Sequence, residues 1–424
     1  MNQHLKAWSW IPSLYFAEGF PYVIVMTVSV IMYKNLGISN ADIAFYTSWL
    51  YLPWVIKPIW SPIVDLLRTK RWWITTMQLV LGAALAGVAL TLPLPDFFRW
   101  TLVLFWLMAF ASATHDISAD GFYMLALDES QQSFFVGIRS IFYRIAMIAG
   151  QGGLVWIAGR LCLQEGVTPA NAWMWVLGVC GLLFIGIGLY HTFALPKPEQ
   201  TPAENADDPT YASTLSRLAD LFVSFFQKKQ IAIALAFILL YRLGEAQLAK
   251  IAMPFLLDSR EAGGLAVSTE NVGLIYGTIG VLALMTGGIL GGILASRFGL
   301  KKCLWWMIGA MNLPNLVYVW LAYAQPDNLY LVASCIAIEQ FGYGFGFTAF
   351  MLYLMYIAQG EYQTSHYALC TGFMALGMMI PGMFSGAIQE LVGYEYFFIW
   401  VCLCTIPGML LAGLLKIDPS YGKK

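Results

Sequence analysis

Within the apolar run 100–127 lies Ala113-Thr114-His115-Asp116-Ile117-Ser118-Ala119-Asp120-Gly121, which sets an imidazole and two carboxylates at bilayer depth. A charged group in hydrocarbon costs roughly 2.5–3.5 kcal/mol on insertion scales, so such groups face partners or a water-filled cavity and mark functional sites. Asp116 and Asp120 are four residues apart and share one helical face. Two carboxylates on one face in a low dielectric cannot both stay charged, so one is expected to hold a proton. His115 supplies a further titratable group, and the set suits a proton relay. It points to a different face from Asp116, which leaves a hydrogen bond to a neighbouring helix as the other reading.

Further ionisable residues stand inside apolar runs. Glu18 and Lys57 lie at similar depths, about ten and about eight residues from the same end of their runs, so they are expected to meet if their helices are adjacent. Arg144 matches the depth of Asp116 and Asp120, Arg139 lies nearer the surface, and either is a gate partner for Asp120. Asp65 and Lys250 are further gate or ion-pair candidates. Arg242 and Glu245, three apart, and Glu339 are expected to border a central cavity and bind a polar, partly anionic ligand, with Lys57 and Tyr343 beside them. Arginine offers a planar fork to a carboxylate or acetamido oxygen, and Glu245 is expected to partner Arg242 when the site is empty. For each pair the alternative is a fixed ion pair locking two helices. Deep aromatics such as Trp54, Trp60, Trp106 and Trp156 serve either packing or a wall for sugar rings.

The composition says what must position these groups. Of 424 residues, 59% are hydrophobic and 11% charged, against roughly 25% charged in a soluble domain. This is an all-α integral membrane chain with room for about twelve helices. Spans are expected at 8–33, 41–64, 72–92, 100–127, 135–161 and 172–194, then 231–257, 272–298, 303–324, 329–358, 365–391 and 394–415. Lys6, Arg68, Lys70, Arg71, Lys228, Lys229, Lys301, Lys302, Lys423 and Lys424 fall on one side, while only Lys34, Arg99, Arg160 and Arg260 fall on the other. The first side is therefore read as cytoplasmic, with both termini on it. Residues 195–230 form a linker between halves 1–194 and 231–424; Pro196, Pro198, Pro202 and Pro209 break its first part. Its stretch 214–227 aligns Leu215, Leu218, Leu221, Phe222 and Phe225 on one face, an amphipathic helix on the membrane surface.

Several functions are disfavoured. The seven cysteines have neither metal nor disulfide spacing, and no cofactor is implied. No nucleophile–base arrangement suggests an enzyme, and no soluble sensor domain suggests a receptor. The net charge of −1, without a basic run, argues against nucleic acid. The partners expected are a small solute, protons and the lipid bilayer, with the protein a monomer.

The loop Ser61-Pro62-Ile63-Val64-Asp65-Leu66-Leu67-Arg68-Thr69-Lys70-Arg71 and its counterpart Gly292-Ile293-Leu294-Ala295-Ser296-Arg297-Phe298-Gly299-Leu300-Lys301-Lys302 recur at equivalent places in the two halves. Both resemble the major facilitator loop signature. The resemblance implies a twelve-helix major facilitator fold, two six-helix halves related by a pseudo-two-fold axis with a binding site between them near the midplane. The chain also resembles the AmpG muropeptide permease family and the related acetyl-CoA transporters. Lys57-Pro58-Ile59-Trp60-Ser61-Pro62-Ile63-Val64-Asp65 is similar to the family's second-helix ending, and His115-Asp116-Ile117-Ser118-Ala119-Asp120 to its Gln-Asp-Ile-x-x-Asp. Tyr241-Arg242-Leu243-Gly244-Glu245-Ala246, Glu339 with Gly342 and Gly344, and His366-Tyr367-Ala368-Leu369 carry the likeness through the second half. His115 replaces a glutamine and Glu245 an aspartate. The resemblance implies proton-driven import of anhydro-muropeptides, N-acetylglucosamine on anhydro-N-acetylmuramic acid with or without peptide, across the bacterial inner membrane for cell-wall recycling. Another solute of the same fold family, acetyl-CoA or a different glycoconjugate, is the alternative.

Overall fold

The computed structural model describes residues 7–197, 220–360 and 363–422, and every regular element among them is helical. Nine helices among the described residues are long and apolar enough to cross a membrane. One of these, Ser365–Leu414, holds two spans, because Gly393 takes a left-handed φ of 77° and turns the chain. Two more spans, 40–67 and 300–324, are interrupted at residues 50–51 and by a short turn at Leu313–Asn315 that contains Pro314. Twelve spans result: α1 (Ile11–Asn35), α2 (40–67), α3 (Lys70–Thr91), α4 (Phe97–Ala126), α5 (129–162), α6 (Pro169–Ala194), α7 (Ile231–Leu257), α8 (Thr269–Phe298), α9 (300–324), α10 (Leu329–Ala358), α11 (363–392) and α12 (394–414). Each predicted span overlaps one of them.

Many helices begin on a polar side chain that accepts from their first free amides. Ser39 caps α2, Thr69 caps α3, Thr168 caps α6, Ser268 caps α8 and Asn328 caps α10, while Asp128 and Gln131 form a reciprocal capping box on α5. Three spans carry a widened π-helical stretch, at Ile24–Val28, Ile148–Leu154 and Gly273–Gly280. Such bulges cluster at functional sites.

Helices pack mainly within two groups of six. In the first, α1 lies on α5, α3 on α4 and α6, and α2 on α4; in the second, α7 lies on α11 and α12, and α10 on α8 and α9. The groups meet through α2 on α11 and α5 on α8, two contacts that a two-fold axis exchanges. Glycine makes this approach possible. A Cβ on Gly277 of α8 would lie 2.0 Å from the Gln151 carbonyl oxygen of α5, and one on Gly386 of α11 would lie 2.0 Å from the Asn40 carbonyl oxygen of α2.

With an even number of crossings, the two ends of the described chain share one end of the bundle, here the terminal end; the opposite is the far end. One apolar core runs unbroken across both groups at the far end, from Tyr33 and Phe105 to Phe255 and Phe398. Towards the terminal end the core splits, one part around Trp10 and Phe122 in the first group and another around Phe237 and Phe350 in the second. The bundle is thus sealed at the far end and divided at the terminal end.

Of the expected surface helix 214–227, residues 214–219 lie outside the described residues. Residues 220–226 are helical. Phe225 is fully buried and stacks on Phe373 at 6.2 Å between centroids, and Ser224 Oγ lies 3.1 Å from His366 Nε2. This stretch therefore docks into the second group. Beyond it, Lys228 Nζ donates to the carbonyls of Ile357 and Gln359 at 2.7 and 2.6 Å, closing the end of α10.

Candidate functional site

The first group presents a wall of charge. Lys57 of α2 forms an ion pair with Asp116 of α4, both partly open to solvent. One helical turn nearer the terminal end, Arg139 Nη2 lies 3.1 Å from Asp120 Oδ1. Arg139 also donates to Tyr15 Oη at 3.0 Å and sits over the rings of Tyr15 and Tyr123, at 4.7 and 5.1 Å from their centroids. Glu18 of α1 lies in the electrostatic neighbourhood of these four charged groups, and its buried Oε2 has no hydrogen-bond partner.

These pairings differ from those expected. Lys57 meets Asp116 and not Glu18, because α2 packs on α4 while α1 packs on α5. Asp120 pairs with Arg139 and not Arg144; among the described residues no carboxylate lies within ion-pairing distance of Arg144. The Asp65 side chain lies outside the described residues. His115, read as a relay member, is built into a buried polar chain. Gln78 Nε2 donates to His115 Nε2 at 2.9 Å, His191 Nδ1 donates to Gln78 Oε1 at 2.8 Å, and Ser13 Oγ is 2.8 Å from His191 Nε2. With the Gln78 amide so oriented, His115 Nε2 accepts its bond, while the buried His115 Nδ1 has no hydrogen-bond partner. The chain ties α4 to α3, α6 and α1, so the neighbouring-helix hydrogen bond is what the structure contains.

Facing this wall, Arg242 of α7 occupies a break in its helix, between Ile231–Leu240 and Leu243–Leu257, with φ −103° and ψ 20°. Its Nη2 donates to Tyr343 Oη at 2.5 Å, and its guanidinium lies 5.4 Å and 5.0 Å from the ring centroids of Tyr343 and Phe347. Its buried Nε has no partner. The expected Arg242–Glu245 pair is absent. The break takes Arg242 out of the register that places residues three apart side by side, and Glu245 Oε2 is left without a partner. Glu339 is only 1% exposed and accepts from Gln340 Nε2 at 3.0 Å. It sits behind the wall, because Gly342, Gly344 and Gly346 draw α10 tightly onto α8 and α9. Lys250 is buried but unpaired by any described carboxylate; it donates to Thr47 Oγ1 at 2.9 Å and lies 5.3 Å from the Tyr51 ring centroid. Among the described residues no group of three or more His, Cys, Asp or Glu is arranged to hold a metal ion.

The sequence reading missed a polar network across the far end. Lys34 Nζ contacts Asp258 Oδ1 at 2.6 Å and donates to Asn40 Oδ1 at 2.7 Å. Asn40 Nδ2 donates to Gln389 Oε1 at 2.6 Å and to Tyr394 Oη at 2.9 Å, and Tyr394 Oη donates to Asp258 Oδ2 at 2.5 Å. Nearby, Glu390 accepts from the Ala41 amide at 2.9 Å, and Arg160 lies 3.6 Å from Glu270. These bonds join one group of six to the other, apart from Lys34–Asn40 within the first group and Tyr394–Asp258 within the second.

Paired acids and bases thus stand in one group of six, and an incompletely coordinated arginine among aromatic rings in the other. Residues 13–380 match the model of the Major Facilitator Superfamily. The chain is 25% identical over 407 residues to "Putative transporter AmpG 4" of Rickettsia conorii, covering 93% of this chain and 92% of that protein. It is 25% identical over 419 residues to "Anhydromuropeptide permease" of Escherichia coli, covering 96% and 79%. In fold it is similar to the crystal structure of nucleoside transporter NupG, with a TM-score of 0.72 and 16% identity over 99% of this chain and 100% of that one.

Proposed function

The chain belongs to the Major Facilitator Superfamily, and on that premise we propose that it imports anhydro-muropeptides coupled to protons. The halves 1–194 and 231–424 rock about the shared interface, with 195–230 as the linker between them. The observation that carries the reading is the facing of two unlike walls. Lys57–Asp116 and Asp120–Arg139, with Glu18 in their electrostatic neighbourhood, form a wall whose ion pairs can be opened by a proton. Opposite stands Arg242, with an unused N–H among Tyr343 and Phe347, suited to a carboxylate and a sugar face. The muropeptide comes from the likeness to the Escherichia coli permease, which spans nearly the whole chain.

The excess of lysine and arginine near the terminal end supports its assignment to the cytoplasm, so this conformation opens inward in the inner membrane. A proton arriving from outside neutralises one carboxylate of the acid wall. The lysine or arginine it released is then free for another partner, and the far-end network closes behind the solute. Release to the cytoplasm lets the ion pairs re-form. The protein acts as a monomer.

The test is uptake into proteoliposomes under an imposed pH gradient, with labelled N-acetylglucosaminyl-anhydro-N-acetylmuramic acid, with and without peptide. Accumulation that collapses with a protonophore is expected. Uptake no greater than in protein-free vesicles for both solutes would overturn the substrate, and accumulation indifferent to the gradient would overturn the coupling.

A further inference from the structure

On the outer surface of the second half, α8, α9 and α10 enclose a crevice of about 350 Å³. Leu294 and Phe298 of α8, Met307 of α9 and Phe345 of α10 give it apolar walls, and Lys302 and Trp306 of α9 stand at its rim. Trp306 is 80% exposed and lies near the terminal end of its helix, the level at which indole rings sit among headgroups. Lys301 and Arg297 are exposed on the same turn of chain. Of these three cations Lys302 is the one that lines the crevice.

We propose that this crevice holds one anionic phospholipid, with an acyl chain along Leu294, Phe298, Met307 and Phe345 and the phosphate at Lys302. Hydrocarbon is the only solvent on this face, so the apolar walls call for a lipid tail. The tail alone does not choose among lipids. The choice comes from the lysine, since basic pockets between membrane helices recruit anionic headgroups. Each lysine near the surface favours an anionic over a neutral lipid by about fivefold. A bound lipid there bridges three helices of the second half.

The test uses the purified full chain, delipidated in detergent and titrated with dioleoyl phosphatidylglycerol or dioleoyl phosphatidylcholine under native mass spectrometry. Phosphatidylglycerol is expected to bind about fivefold more tightly than phosphatidylcholine. Lys302→Gln should erase that margin, whereas Lys197→Gln, in the linker and outside the crevice, should keep it. Leu294→Trp, which fills the crevice, should remove the tightest site for both lipids. Equal binding of the two lipids by the native chain, a preference that survives Lys302→Gln, or full retention in Leu294→Trp would each overturn the proposal.

Discussion

Replacing Asp258 by asparagine should loosen the far end while leaving its shape intact. In the native network the Asp258 carboxylate accepts from Tyr394 Oη at 2.5 Å and pairs with Lys34 at 2.6 Å, with the two charged side chains only 18% and 15% exposed. Asparagine keeps the volume and the bond from Tyr394 but removes the charge, and Lys34 keeps only Asn40 as an acceptor. A hydrogen bond to a charged group contributes about 1.5–3 kcal/mol, and partial exposure argues for a value near the middle, about 2 kcal/mol. That is roughly a 30-fold change in the ratio of opened to sealed far ends, so an opened form present at about one in a hundred would rise to about one in four. Spin labels at Glu165 and Glu261, one in each group, would report this by pulsed dipolar spectroscopy as a new, longer distance. Lys34→Gln combined with Asp258→Asn should cost less than the two changes added, because neither then leaves an unpaired charge. A distance distribution unmoved by Asp258→Asn, with the protein folded, would mean that the network does not hold the seal.

Asp116→Asn imitates a permanently protonated acid and releases Lys57; it should abolish accumulation driven by a pH gradient yet retain exchange at equal pH, and continued concentration of solute by this variant would move the coupling to Glu18. Arg242→Ala should weaken equilibrium binding of the disaccharide by at least about tenfold, the worth of one charge-assisted bond; calorimetry showing unaltered affinity would remove Arg242 from the binding site. His115→Leu leaves the Gln78 amide without its acceptor and should lower stability by about 1–3 kcal/mol, while His115→Asn should recover part of the loss. If His115→Leu instead shifts the pH profile of transport with an unchanged melting temperature, the histidine belongs to the proton path.

Helix number and the two-fold organisation were legible, because hydropathy and spacing along one chain mark where it crosses a membrane. Azimuth was not. Glu18 and Lys57 were matched by height, yet α1 turns to α5 and α2 to α4, so Lys57 finds Asp116. Arg242 and Glu245 were matched by helical periodicity, which holds only while the helix is continuous, and α7 breaks at that point. Asp120 lay within reach of two arginines by height, and the rings of Tyr15 and Tyr123 hold Arg139 beside it. The far-end network was invisible because Lys34, Asn40, Asp258, Gln389 and Tyr394 are ordinary residues at helix ends, brought together across more than 200 positions of chain. A polar residue at the mouth of a span carries no hydropathy penalty to give it away.

The break in α7 has a mechanical consequence. The guanidinium proposed to hold a solute belongs to the very residue at which the helix breaks, so a pull on it would bear on that joint. Recognition and movement then share one lever arm. Substitutions around Tyr241 and Leu243 should alter the apparent affinity and the turnover of the carrier together, as changes at hinges do. A stiffer joint would grip well and travel slowly, and a looser one would travel freely and grip poorly.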